Sequence, residues 1–108
     1  SEVEEDQVYS GPDLGKGGHM DILVRSPGQF SDVREYADSL MSGATLMVSF
    51  DAVDSAMKNR IFDYLNGVSY IIGATVSKVS ENLLMYAPNH VEVDKEAVKK
   101  STRSWLGR

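Results

Sequence analysis

The sequence predicts a single small α/β domain in which elements follow the order β-α-β-α-β-β-β and two helices cover a sheet. Three observations carry that prediction. In residues 51–68, Met57, Ile61, Tyr64, Leu65 and Val68 recur at i, i+4, i+7, i+8 and i+11, the spacing of a helix with one buried face. Val33, Tyr36, Ala37, Leu40 and Met41 repeat the pattern earlier in the chain. Between the two, residues 44–50 (ATLMVSF) form a nearly continuous apolar run of the kind found in a strand buried on both faces, so this strand is expected at the centre of the sheet.

Residues 1–20 are polar and Gly-rich without an apolar period, and predict a flexible acidic tail, because nothing in them offsets the entropy cost of ordering. Gly17-Gly18-His19-Met20 also has the look of a cloning junction, with a native acidic linker as the competing reading. A phosphate-loop reading of residues 11–18 fails. The spacing is one residue short, no Ser or Thr follows Lys16 to hold magnesium, and the sequence predicts no strand before it.

Residues 21–25 (DILVR) read as the first strand, ended by Ser26-Pro27-Gly28. Ser31 is placed to cap the first helix and Gly43 to end it. In the second helix Asp51 is the expected N-cap, Asp54 adds charge at the positive end of the dipole, and Gly67, followed by β-branched residues, is the expected end. Residues 75–79, 83–87 and 90–93 then read as three short strands, with hairpin turns at 80–82 and 88–89. The core is thus expected over residues 21–93. Val98, Thr102 and Trp105, at i, i+4 and i+7, fit a third helix in a C-terminal extension over residues 94–108.

At 108 residues the core is modest, and a self-associating surface would help such a chain. The formal charge of −5 is unevenly spread. Glu2, Glu4, Glu5, Asp6 and Asp13 against Lys16 put −4 in the first twenty residues, which leaves −1 for the rest. That near-neutral remainder lacks the basic face of a nucleic-acid binder. There is no cysteine, so disulfides and thiolate metal sites are excluded. No apolar run approaches the roughly 20 residues of a membrane span, and the acidic start is not a signal peptide. Of the two histidines, His19 lies in the expected tail and His90 reads as a surface or capping residue, so neither a metal site nor a catalytic triad can be assembled. Capping accounts for Asp51 and Asp54 without acid–base chemistry. The residues predict no enzyme and no cofactor.

Three stretches carry a resemblance: Lys58-Asn-Arg60-Ile-Phe62-Asp63-Tyr64-Leu65-Asn-Gly67, then Tyr70 to Gly73, then residues 83–93 with Pro88, Asn89 and Val91. Their order and spacing resemble the SepF family of cell-division proteins, over residues 21 to 93. The likeness extends to Ser31-Asp-Val-Arg-Glu-Tyr-Ala-Asp38 and to the buried strand before the second helix. The chain departs from the family where Tyr64 and Asn66 stand for the commoner Phe and Ser, and where Ala74 follows Gly73 in place of a frequent second glycine. Bacterial and archaeal relatives both belong to this family, and these residues do not separate them.

The resemblance implies a dimeric adaptor, in some members polymerising, that binds the C-terminal tail of FtsZ, the tubulin-like division GTPase. It also implies tethering of FtsZ filaments to the inner face of the cell membrane at the division site through an N-terminal amphipathic helix that this sequence does not show before Asp21. A tail receptor needs an apolar wall and a cation. Phe62, Tyr64 and Leu65 are the expected wall, Lys58 and Arg60 the expected cations. Gly67 and Gly73 are expected to act in structure or self-association. Two other classes stay open: a purely self-assembling structural protein, and a small regulatory module that binds a metabolite. Trp105 could pack on its own domain, on a partner or on a membrane.

Overall fold

The computed structural model describes residues 7–15 and 18–91. One five-stranded sheet, in the order β1-β2-β3-β5-β4, runs through the domain. Its strands are β1 (Gln7–Gly15), β2 (Gly18–Arg25), β3 (Thr45–Ser49), β4 (Thr75–Ser80) and β5 (Leu83–Ala87). The β2–β3 pair is parallel, bridged by α1 (Val33–Met41); the other pairs are antiparallel. β3 is central, as its apolar run predicts, and every one of its residues is buried.

Alternation along the strands separates two sets of side chains. Leu46 and Val48 of β3 with Leu84 and Tyr86 of β5 meet α1 through Val33, Tyr36, Ala37 and Leu40, and meet α2 (Ser55–Ile72) through Ile61 and Leu65. Val24, Met47, Leu83 and Met85 form a second cluster, with Ile22 and Val79 packed against it. Ile61 and Leu65 are fully buried, which stabilises the helix-on-sheet contact by about 1.5–3 kcal/mol for each side chain.

Several local expectations are corrected. Residues 7–15 and 18–20 are not a flexible tail: they form β1 and the start of β2, with Gln7 opposite Val24 and Tyr9 opposite Ile22. A strand added at a sheet edge is held by its backbone ladder, which needs no apolar period. The helix cap is Asp54 rather than Asp51: its carboxylate accepts from Met57 N at 2.9 Å, while residues 51–52 turn. Ser31 does not cap α1. A single 3-10 turn, Phe30–Asp32, precedes it, and Asp32 Oδ2 accepts from the backbone of Gly28 and Gln29 at 3.1 and 3.3 Å.

Gly67 does not end α2. The helix continues to Ile72 and stops at Gly73, whose φ of 73° is left-handed. The β-branched residues after Gly67 stay helical because Val68 and Ile72 pack on the core, so tertiary burial overrides local propensity. Gly43, at φ 105°, ends α1 as expected. The expected last strand does not start at His90: Asn89 and His90 turn, with Val91 N donating to Pro88 O at 3.0 Å. Residues 92–93, the expected C-terminal helix and Trp105 lie outside the described residues.

Candidate functional site

Of the five large hydrophobic side chains exposed among the described residues, three lie on α2. Tyr70 is 86% exposed, Ile71 79% and Tyr64 37%, the kind of concentration that marks an interaction face. Gly67 sits among them in mid-helix. A Cβ there would meet nothing within 4 Å, and the backbone is not left-handed. Neither a close approach within the chain nor a special conformation accounts for a residue that costs a helix about 1 kcal/mol relative to Ala.

The candidate binding residues separate into two pairs, each a cation followed four positions later by an aromatic, so that each pair shares a flank of the helix. On the flank facing the 3-10 turn, the Arg60 guanidinium carbon lies 4.1 Å from the centroid of the Phe30 ring, which meets Tyr64 edge-on at 5.4 Å and 74°. Stacking leaves the guanidinium edge free for a planar acceptor. No carboxylate within ion-pair distance occupies it among the described residues. On the other flank, Lys58 Nζ donates to Glu81 O at 3.1 Å and to Asn82 Oδ1 at 2.9 Å, and lies 5.8 Å from the Phe50 ring centroid.

Phe62 follows Lys58 and forms the wall of an open groove of about 570 Å³ between α2 and β4, shared with Asn66, Ser69, Tyr70, Val76 and Leu84. Asn66 Oδ1 and Ser69 Oγ are buried there without a hydrogen-bond partner. Leu65 is different. It is fully buried among the core residues, so it supports the helix from beneath and offers no surface to a ligand. Gly73 forms the left-handed cap of α2, with the Asn89 side chain lying against it.

Three side chains of this region were absent from the sequence-based set: Phe30, Phe50 and Asn82. Phe30 lies in the turn before α1 but packs on Arg60 and Tyr64 of α2, thirty or more residues away, and no spacing in the sequence ties it to them. Nothing in the spacing of Asn82 ties it to Lys58, twenty-four residues away.

A second open cleft, of about 420 Å³, lies near the end of α1 and is lined by Asp21, Leu23, Asp38, Ser39 and Ser42. Among the described residues no three His, Asp or Glu side chains gather as a metal site would require, and no helix is long and apolar enough to cross a membrane.

A sequence model of the family described as Cell division protein SepF matches residues 22–93, which take in β3, both helices and the β4–β5 hairpin. The chain is 31% identical over 77 residues to Cell division protein SepF of Carboxydothermus hydrogenoformans, covering 71% of this chain and 56% of that protein. It is 31% identical over 87 residues to the protein of the same name from Staphylococcus haemolyticus, covering 81% and 42%. The chain thus spans about half the length of these relatives.

In fold it is similar to the SepF-like protein from Archaeoglobus fulgidus, at a TM-score of 0.62 and 15% identity over 67% of this chain and 89% of that one. It is also similar to the SepF-like protein from Pyrococcus furiosus, at 0.60 and 17% over 85% and 100%. With the family match covering both helices and the strands β3, β4 and β5, the chain belongs to the SepF family of cell-division proteins.

Proposed function

We propose that this chain is a non-catalytic division adaptor that dimerises and binds the C-terminal tail of FtsZ, linking FtsZ filaments to the membrane through a segment outside residues 21–93. The observation that carries the reading is the Arg60–Phe30–Tyr64 stack. A guanidinium held over one ring beside a second ring, with no carboxylate paired to it among the described residues, offers an acidic, apolar peptide both of the contacts it needs. The Lys58–Phe62 flank adds a second cation and an apolar wall.

Self-association is read from the outer face of α2. Gly67, open to solvent beside Tyr70 and Ile71, leaves room for a second helix to approach closely, and a two-fold axis would bring two such faces together. This supports a homodimer; a two-fold contact closes on itself, so stacking of dimers into polymers would need a second surface. The metabolite-binding alternative is less well supported, because both clefts are open to solvent.

The experiment is a calorimetric titration of the FtsZ C-terminal peptide into the wild type, Arg60→Glu and Tyr64→Ala. Both variants should lose at least about ten-fold in affinity, the scale of removing one anchor from a small interface, with the mass by light scattering unchanged. Equal affinity in all three would remove the proposed stack as the tail's seat.

A further inference from the structure

Lys58 of α2 and Asp51, four residues before the helix begins, lie on either side of one amide in the β4–β5 turn. Asn82 Oδ1 accepts from Lys58 Nζ at 2.9 Å, and Asn82 Nδ2 donates to Asp51 Oδ1 at 3.4 Å. Only one orientation of the amide serves both neighbours, because an ammonium can only donate and a carboxylate only accept. The turn is fixed from behind by Phe50 N, which donates to Asn82 O at 2.8 Å. The remaining contacts of Lys58 are the Glu81 carbonyl and the Phe50 ring.

Every partner of the ammonium is therefore neutral. Two of its three N–H directions are occupied, and among the described residues no carboxylate cancels its charge, although Asp51 is one amide away. Direct pairing with Asp51 would cancel that charge, and Asn82 stands between the two.

We infer that Asn82 is a spacer: it keeps Lys58 from pairing with Asp51 and holds the ammonium for a carboxylate of a bound peptide. The inference rests on the reading that an acidic peptide docks on α2. Lys58 makes the contact and Asn82 positions it. The Arg60–Tyr64 and Lys58–Phe62 flanks lie on nearly opposite sides of a helix about 10 Å across, so a peptide passing round its surface covers about 16 Å, roughly five extended residues.

The test uses the 108-residue chain and the FtsZ C-terminal peptide. Asn82→Ala should let Lys58 close onto Asp51 and weaken binding by on the order of five- to ten-fold, the scale of one charge-assisted hydrogen bond. Adding Asp51→Asn to Asn82→Ala should return affinity to within about two-fold of wild type, since the competing carboxylate is gone. In a Lys58→Gln background Asn82→Ala should have no further effect. A role of Asn82 in turn stability alone predicts no such rescue. Unchanged binding in Asn82→Ala, or failure of Asp51→Asn to restore it, overturns the inference.

If the wild type does not bind the peptide, the adaptor reading fails first, and the spacer is judged by nuclear magnetic resonance of the lysine ammonium. A Lys58–Asp51 coupling that is present in Asn82→Ala and absent in wild type supports the spacer; no coupling in either overturns it.

Discussion

Single residues at the two ends of α2 show how short-range chemistry fixes its length. Asp54 accepts from Met57 N and Gly73 takes the left-handed turn that closes the helix. Asp54→Ala should lower stability by about 0.5–2 kcal/mol in chemical denaturation, the usual worth of an N-cap, whereas Asp51→Ala should not reach that range. A larger loss in Asp51→Ala would contradict the assignment of the cap.

Tyr86 tests the core in another way. Its hydroxyl is buried without a partner, and burial pushes its pKa well above the ordinary tyrosine value. The unfolded chain loses this proton near pH 10 while the folded one keeps it, so the contribution is complete below about pH 10 and is lost as pH rises beyond it. The loss is at most about 1.4 kcal/mol per pH unit. Tyr86→Phe should flatten that alkaline decline; a decline as steep as wild type would mean that another group causes it.

At the scale of elements, what was legible in the sequence was whatever depends on side-chain burial. The period of Ile61, Leu65 and Val68 identified α2, and the run of Leu46, Met47 and Val48 identified the central strand, because both patterns are written by the core. β1 was not legible, since an edge strand can be held by backbone pairing alone. The end of α2 was misjudged at Gly67 because glycine is the usual local stop signal, and only the packing of Val68 and Ile72 shows why the helix continues.

The candidate site was partly legible for the same reason. Lys58, Arg60, Phe62 and Tyr64 could be picked from one helix, but Phe30, Phe50 and Asn82 reach them through the fold. Gly67 now has a sharper test. On an exposed helix surface Lys is a better helix former than Gly, so Gly67→Lys should leave the melting temperature of the isolated subunit unchanged or raised. The same substitution should halve the mass measured by light scattering if α2 forms the contact between copies. A dimer of unchanged mass would place self-association elsewhere.

At the scale of the molecule, the sheet and α1 form a platform that buries one face of α2 and leaves the opposite face, with Tyr70 and Ile71, in solvent. The two cations on that helix are handled differently. Arg60 is stacked on Phe30, whereas Lys58 is clasped by the β4–β5 turn, so the platform reaches the proposed peptide-binding surface from both sides. This arrangement suits a receptor that is formed before its ligand arrives, with little side-chain ordering left to oppose binding. The most direct measurement is calorimetric titration of the chain with the C-terminal peptide of FtsZ from the same organism, with light scattering on the same sample. A dimer that binds one peptide per subunit or per dimer with a saturable heat is the expected result; a folded dimer that gives no heat of binding would contradict the adaptor role.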